Sequence, residues 1–502
     1  MDTTGAEREL NDLAVKALQG LRAACGVLRG RPMPFLAVAG FAVAAVVVVA
    51  GGRVGAARST RGLTSWLGLQ DPHGLTATDR VPATIMLAAV VALLLLWILT
   101  LEVIRRMRQP APRVWWLVGA WTVPFAIGPP LMDTSVYTHA AFGLIQRAGH
   151  DPYQRAPSSL PDLPVVAAID PGARGVPSSA GPLGSLLQHL SISVGNGSAL
   201  SAVIILRVVA VLTAIAIGRL AADMGGTRGG EALAGCALNP LVLLYVVSSP
   251  HLDGVMVAVA LASIAAATRR RWVAAVVLAS IAGSITAQGF LLLPIIVVAH
   301  VLRRRTRPAW RLLGRDIGIA AVVTAGAGLI QPGGFGWLGT VSKQFAVHTP
   351  YAVASAVGQV LSPIVRGASY DDLAASGRIT AMTAAVCVIG YLLVTLQHRA
   401  LERTAGDTLL ALGLLAPSLY PWYLLWGVLC LAPTAIGTRR VWVIALSAAA
   451  CLLMPVGFSD RAAERITGVG LGVVALVTGV LLCLEHRRAK LDAAARPVSV
   501  ES

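Results

Sequence analysis

The feature that most constrains this chain is a series of long apolar runs that contain almost no charged residues. Leu, Val and Ala dominate stretches of fifteen residues or more, such as 82–101. A soluble core cannot bury that much apolar surface, and a disordered chain is far more polar. A helix that crosses a bilayer needs about 20 apolar residues. We therefore predict an all-α, polytopic membrane protein.

Ten runs are predicted to cross the membrane as single helices. They are Pro34 to Gly51, Pro82 to Val103, Val114 to Leu131, Ala199 to Gly218, Ala232 to Ser249, Gly254 to Thr268, Ile317 to Gln331, Ile379 to Gln397, Val441 to Val456 and Thr467 to Leu484. Two further regions, 272–302 and 407–436, are predicted to be hairpins of two short helices, which brings the total to fourteen crossings. Broken helices are tolerated in a membrane where the freed backbone is buried or faces a water-filled cavity. Both hairpins are thus candidates to line a working cavity.

Charge indicates orientation rather than nucleic-acid binding. The formal net charge is +17, but the Arg residues lie in short loops between apolar runs and not on a basic face with stacking aromatics. The positive-inside rule then predicts the plasma (inner) membrane, with both termini cytoplasmic and the long segment 132–198 on the outer, periplasmic face. Its length is typical of a functional loop.

The predicted organisation is a cytoplasmic tail (1–33), one integral membrane domain (34–485) and a second cytoplasmic tail (486–502). The first tail has helical apolar spacing, which fits a helix on the membrane surface as well as a solvated leader. No small-residue cleavage site follows the first apolar run, so we expect that run to be kept as an anchor.

Several chemistries are excluded by the motifs. The six Cys residues include five inside apolar runs, and no disulfide framework or metal cluster is predicted. No Gly-rich phosphate loop, HExxH or CxxC motif is present, which argues against nucleotide use. No metal ligands are assigned, although carboxylates of the outer face could hold a divalent cation through oxygen.

Asp133 stands at the outer end of the third predicted span, where a carboxylate can act on a lipid-linked substrate. The chemistry that needs it is glycosyl transfer, in which a general base deprotonates a sugar hydroxyl as it attacks an anomeric carbon. The alternative is that Asp133 caps a helix that starts near Ser135. Asp151-Pro152 is predicted to form a turn, and Tyr137, Asp151 and Tyr153 are candidate donor- or acceptor-binding residues of the same loop.

Three other sites carry candidates. Arg207 lies inside a predicted span, where a charge is costly, and suits a phosphate anion unless it snorkels to the headgroups. His251 and Asp253 reach the same outer face, where either can bind a sugar and Asp253 can equally cap a helix. Trp422 and Tyr423 form an aromatic belt or a platform for a sugar or prenyl chain.

These residues lie in motifs that together resemble a known family. The motifs are Ala50-Gly51-Gly52, Ser65-Trp66-Leu67-Gly68 with His73-Gly74, Gly149-His150-Asp151-Pro152-Tyr153, Leu238-Asn239-Pro240-Leu241-Val242-Leu243 with His251, Gly334-Phe335-Gly336-Trp337, Pro421-Trp422-Tyr423-Leu424-Leu425-Trp426 and Asp460-Arg461. The chain resembles the polyprenol-phosphate-mannose-dependent α-1,6-mannosyltransferases of actinobacterial cell envelopes, of the MptA/MptB type, in the GT-C class of glycosyltransferases.

The resemblance implies an outward-facing enzyme that transfers mannose, with inversion, from polyprenyl-phosphate mannose to a growing lipomannan, lipoarabinomannan or other lipoglycan chain. It also shows a departure: Ser135 holds the place of the family's catalytic Asp, and Asp133 is the nearest carboxylate. Two alternatives follow, a catalytically silent paralogue that binds polyprenyl lipid and a transporter or flippase of lipid-linked sugars.

Overall fold

The computed structural model describes residues 32–53, 66, 80–303, 308–331, 333–344, 352, 353, 355, 360, 369–453, 472 and 474–486. Within these ranges every regular element is a helix and none is a strand, so the prediction of an all-α protein is confirmed. The surface helix predicted for the amino-terminal tail, most of the carboxy-terminal tail, and the motifs at His73-Gly74 and Asp460-Arg461 lie outside the described residues.

We number the helices in chain order. They are α1 (Pro32–Gly51), α2 (Arg80–Met107), α3 (Ala111–Ile127), α4 (Ser135–Arg147), α5 (Pro164–Ala167), α6 (Pro171–Arg174), α7 (Pro182–Val194), α8 (Ala199–Gly225), α9 (Gly229–Cys236), α10 (Pro240–Val242), α11 (Leu252–Thr268), α12 (Trp272–Ile285), α13 (Leu292–Arg303), α14 (Ala309–Leu329), α15 (Trp337–Gln344), α16 (Tyr370–Val394), α17 (Leu401–Leu415), α18 (Tyr423–Leu431), α19 (Gly437–Leu452) and α20 (Val474–His486).

The chain is a polytopic membrane protein by the length and apolar character of its helices. Among the described residues five stretches are long enough to cross a membrane alone: Pro32–Gly51, Val81–Met107, Ala199–Cys236, Ala309–Leu329 and Asp372–His398. A bent pair, Pro240–Ser248 with Leu252–Thr268, makes a sixth if it counts as one span. Several predicted spans are instead shorter apolar helices, so the count of fourteen crossings stays a prediction.

One predicted span is wrong. The run Ala232 to Ser249 is not a single helix, because α9 ends at Cys236 and a new helix starts at Pro240. Pro240 cannot donate a backbone hydrogen bond, and the Asn239 side chain caps the new start by accepting from the Leu241 N–H at 3.0 Å. The helix continues as a π-helical turn, Leu243–Ser248, and then bends by 120° into α11.

Both predicted hairpins are confirmed as pairs of short helices. The first breaks at Thr286, between α12 and α13, and the second breaks across 416–422, between α17 and α18. The second break contains Pro417 and Pro421, which cannot donate backbone hydrogen bonds. Together with the break at Asn239-Pro240, these two breaks place non-helical backbone inside the protein.

Helices α1 and α3 approach each other closely. A side-chain carbon on Gly40 of α1 would clash with the Trp121 ring of α3, and the Trp121 indole N–H donates to the Leu36 carbonyl at 3.0 Å. Trp121 and Leu36 are fully buried in the main apolar core. This packing fixes the end of α3, from which the candidate site begins.

Candidate active site

Two of the predicted site residues meet at the end of α3. Asp133 follows α3, and His251 precedes α11 at the bend of the broken helix. Although 118 residues separate them in the sequence, the Asp133 Oδ2 and the His251 Nε2 are hydrogen-bonded. Their side chains are only 11% and 4% exposed, respectively. We call them the Asp133–His251 pair.

The other carboxylate oxygen of Asp133 contacts the start of α4. Its Oδ1 accepts from the Ser135 N–H at 2.6 Å, but Thr134 occupies the N-cap position of α4, so Asp133 is not the N-cap residue. Burial opposes ionisation of this carboxyl, but His251 and the hydrogen bonds from Ser135 outweigh it and lower the Asp133 pKa. Asp133 is therefore a carboxylate at neutral pH.

An aromatic wall, formed by Tyr420, Trp422, Tyr423 and Trp426, covers the Asp133–His251 pair. Trp422 stacks on the His251 ring with 4.3 Å between centroids, and Tyr420 stacks on Trp422 at 4.6 Å. The break before α18 thus delivers these rings to the pair. Trp426 is 1% exposed, so this part of the wall lies inside the protein and is not a surface belt.

Asp253 is held by the same wall. Its Oδ1 accepts from the Trp426 indole N–H at 2.8 Å. The capping alternative for Asp253 is wrong, because His251 occupies the N-cap position of α11 and Asp253 lies within the first turn. Two carboxylates, Asp133 and Asp253, therefore flank His251.

Sequence reasoning missed His139, one turn after Ser135 on α4. Its Nδ1 is hydrogen-bonded to the Gln188 side chain of α7 at 2.9 Å, and its Nε2 is buried without a hydrogen bond to any described residue. Burial and the nearby His251 lower the His139 pKa to about 3. The i, i+4 spacing from Ser135 to His139 was the available signal, since it places both on one helix face.

The other loop candidates lie in local structure. Tyr137 is buried in a small apolar core with Val203 and Leu206 of α8. The predicted turn at Asp151 is confirmed, because its carboxylate accepts from the Tyr153 N–H at 2.8 Å. Burial raises the pKa of Tyr153 to about 12, so its hydroxyl is neutral. Substrate-binding roles for these residues stay predictions.

Arg207 is buried between backbone segments. Its guanidinium donates to the carbonyls of Phe125 at 2.8 Å and Gly128 at 2.6 Å, at the end of α3, and to that of Ser248 at 2.8 Å. The side chain also lies over the Trp66 ring, 5.3 Å from its centroid. Arg207 therefore does not snorkel, and it ties the end of α3 to the bend before His251. A contact with a donor phosphate stays a prediction.

No metal centre is evident in the part of the chain that the structure describes. Groups of three or more His, Cys, Asp or Glu side chains with suitable placement are absent from those residues.

The fold and this site define a polytopic, all-α membrane protein in which helix breaks bring an Asp–His pair and an aromatic wall together. Comparison with known sequences is more specific. Residues 37–302 match a family model described as the α-(1→6)-mannopyranosyltransferase N-terminal domain, and residues 349–484 match the MptB C-terminal domain. The chain therefore belongs to the MptA/MptB family of α-(1→6)-mannopyranosyltransferases.

Individual relatives agree. The chain is 28% identical to α-(1→6)-mannopyranosyltransferase A of Mycobacterium tuberculosis over 65% of this chain and 66% of that relative, just under two thirds of its length. It is 29% identical to a probable α-(1→6)-mannopyranosyltransferase of Mycolicibacterium smegmatis over 68% of each. With α-(1→6)-mannopyranosyltransferase A of Corynebacterium glutamicum the identity is 21%, over 71% of this chain and 78% of the relative.

Proposed function

We propose that this protein is a membrane mannosyltransferase that transfers mannose, with inversion, from polyprenyl-phosphate mannose to a lipomannan-type acceptor on the outer face of the plasma membrane, forming an α-1,6 linkage. The observation that carries the proposal is the Asp133–His251 pair under Trp422. Membership of the mannopyranosyltransferase family supports the reaction type.

Asp133 acts as the general base in this proposal. Its carboxylate takes the proton of an acceptor hydroxyl while that oxygen bonds to the anomeric carbon of mannose. The bond from that carbon to the phosphate oxygen breaks, and polyprenyl phosphate leaves with its electron pair. The two carboxylate oxygens of Asp133 offer about four acceptor positions, and hydrogen bonds from His251 and from the Ser135 backbone and side chain fill three, so one stays open for the hydroxyl.

The neighbouring groups orient the substrates. Trp422 and Tyr420 offer flat apolar faces on which a sugar ring can pack. Asp253, fixed by Trp426, is placed to accept a hydrogen bond from a sugar hydroxyl. The prenyl chain of the donor lies in the membrane lipid beside the helices.

The test is transfer of radiolabelled mannose from polyprenyl-phosphate mannose to a short α-1,6-mannoside by the purified protein in lipid. Asp133→Asn should lower turnover by about 100-fold or more, the usual contribution of a general base. The Asn side-chain oxygen can still accept the hydrogen bond from the Ser135 N–H, so the melting temperature should stay close to that of the wild type.

Asp170→Asn is the matched control. Asp170 lies in the same loop, is exposed, and accepts from the Gly172 N–H at 2.8 Å just as Asp133 accepts from Ser135. Turnover should fall far less than in Asp133→Asn, because Asp170 lies near Tyr420 but is not hydrogen-bonded to a His among the described residues. Equal turnover of Asp133→Asn and the wild type would rule out Asp133 as the base.

The second candidate is a catalytically silent protein that binds polyprenyl lipid. It is favoured by Ser135 at the start of α4, in the place where the family resemblance implies an Asp. In that case the wild type and Asp133→Asn should both bind the lipid donor saturably without transfer, and Ser135→Asp should create turnover. Counter-flow of lipid-linked sugar in proteoliposomes would instead favour a transporter.

A further inference from the structure

A second polar site lies at the other end of α11 from the Asp133–His251 pair. The 17 residues of α11 rise about 1.5 Å each and so cover about 25 Å, close to the thickness of the hydrocarbon core of a bilayer. The helix starts beside His251 and ends at the turn Arg269–Arg271. We therefore expect this turn to lie near the opposite membrane face.

A cavity of about 610 Å³ opens at this turn, which is within the size range of small-ligand sites. Arg270, Arg271 and Arg315 line it. Arg315 is paired with Asp316 at 2.8 Å, whereas Arg270 and Arg271 form no ion pair with any described carboxylate. The cavity thus has a surplus of positive charge at its mouth.

A buried contact lies behind the cavity. His300, which lines the cavity, and Asp316, which does not, are 2% and 0% exposed, are hydrogen-bonded at 2.5 Å and join α13 to α14. Trp272 stacks on His300 with 4.8 Å between the ring centroids. These contacts shape the cavity without involving Arg270 or Arg271.

The wall of the cavity is apolar and reaches the outside of the helix bundle. Val273 and Ala274 of α12 are exposed and line the cavity together with the buried Leu312 of α14. A free anion gains nothing from such a wall. A lipid has both features, a phosphate for the Arg side chains and acyl chains for the apolar wall.

A second cavity, of about 510 Å³, also collects Arg side chains, but carboxylates line it as well. Arg440 lines it together with Glu231 and Glu485, and Arg440 pairs with Glu485 at 3.0 Å. Glu231 and Glu485 offset two of the four Arg side chains that line it, which are Arg105, Arg108, Arg228 and Arg440. Among the described residues, no carboxylate lines the cavity at Arg270 and Arg271.

We propose that the cavity at Arg270, Arg271 and Arg315 binds the phosphate headgroup of an anionic phospholipid on the membrane face opposite the Asp133–His251 pair. The acyl chains of that lipid lie along Val273 and Ala274. The site is separate from the proposed transferase reaction and does not depend on it.

Native mass spectrometry of the purified full chain tests this with phosphatidylglycerol and phosphatidylcholine offered together. The test variant is Arg270→Asn with Arg271→Gln. Arg270 has a φ of 59°, a conformation that Asn tolerates, so the turn should be kept. The wild type should retain phosphatidylglycerol in preference, and the variant should bind it at least tenfold more weakly.

The control variant, Arg113→Gln with Arg219→Gln, removes the same charge from two exposed side chains that do not line the cavity, and it should bind as the wild type. Equal retention of the two lipids, or unchanged binding by the test variant, would overturn the proposal. Displacement of phosphatidylglycerol by millimolar inorganic phosphate would reassign the cavity to a free anion and overturn the lipid assignment.

Discussion

His139 makes the stability of the site depend on pH. Its pKa is about 3 in the fold against 6.5 for an ordinary His, so below pH 6.5 the unfolded chain takes up a proton that the folded chain does not. This contribution is therefore complete above pH 6.5 and is lost as the pH falls toward 3, by up to about 1.4 kcal/mol per pH unit.

His139→Gln should accordingly show a smaller fall in melting temperature between pH 7.5 and pH 5 than the wild type. Thermal denaturation in detergent measures it, with His398→Gln as the control, because His398 is an exposed His in the short turn that follows α16. Parallel pH profiles for the wild type and His139→Gln would contradict a neutral, buried His139.

We expect Arg207 to contribute mainly to the stability of the folded protein. Removal of its guanidinium in Arg207→Met leaves buried carbonyls at Phe125, Gly128 and Ser248 without their donor, at about 1–3 kcal/mol each. The melting temperature should fall clearly. Arg219→Met, on the same helix but 74% exposed, should change it little. A stable Arg207→Met protein with a raised KM for the lipid donor would instead favour the phosphate contact.

Single residues show what the sequence can and cannot reveal. Asp133, His251 and Trp422 were all predicted as site residues, because a carboxylate, an imidazole and an indole at the ends of apolar runs are side chains that can bind or react with a substrate. Their mutual contact was not, since it depends on the 120° bend before α11 and on the break before α18. For Arg207 the sequence suggests a phosphate ligand. It cannot reveal the carbonyl acceptors at the end of α3 and at Ser248, because backbone carbonyls have no sequence signature.

At the level of elements, α17 and α18 position the aromatic wall by close approach of two glycines. A side-chain carbon on Gly427 would come within 2.6 Å of the Leu410 backbone nitrogen, and one on Gly406 would press on Leu431. Small residues let membrane helices approach in this way. Any side chain here pushes α18, with Trp426, away from Asp253.

Gly427→Ala should therefore destabilise the protein by about 1–3 kcal/mol, the usual cost of overpacking, and lower transferase turnover. Gly390→Ala is the control, because Gly390 of α16 has open space at its Cβ and should gain a little helix stability. Melting temperatures in detergent measure both. Shifts of the same sign and size in the two variants would contradict the close α17–α18 contact.

Element boundaries were predictable where composition changes abruptly. The breaks of both hairpins followed from basic flanks and from Pro417 and Pro421. The break at Asn239-Pro240 was not predicted, because the residues on both sides are apolar and the hydropathy shows one continuous run. The helix is interrupted there by Pro240 and by the Asn239 side chain, which accepts from the Leu241 N–H.

For the whole molecule, α11 orients the two polar sites. It runs from the Asp133–His251 pair to the Arg turn at 269–271, so the two ends lie on opposite faces if α11 crosses the membrane. The positive-inside rule then assigns the Arg end to the cytoplasm and the segment 132–198 to the outside. The proposed transferase requires this arrangement, since the proposal places its donor and acceptor on the outer face.

Cysteine labelling in intact cells measures the orientation directly. In a background without the six native Cys residues, Gln154→Cys should react with a membrane-impermeant maleimide added outside, because Gln154 is exposed and lies in the loop of Asp133. Arg269→Cys, also exposed, should react only after the cells are opened. Labelling of both from outside would contradict the crossing of α11, and the reverse pattern would place the Asp133–His251 pair in the cytoplasm, where the proposed outer-face reaction cannot occur.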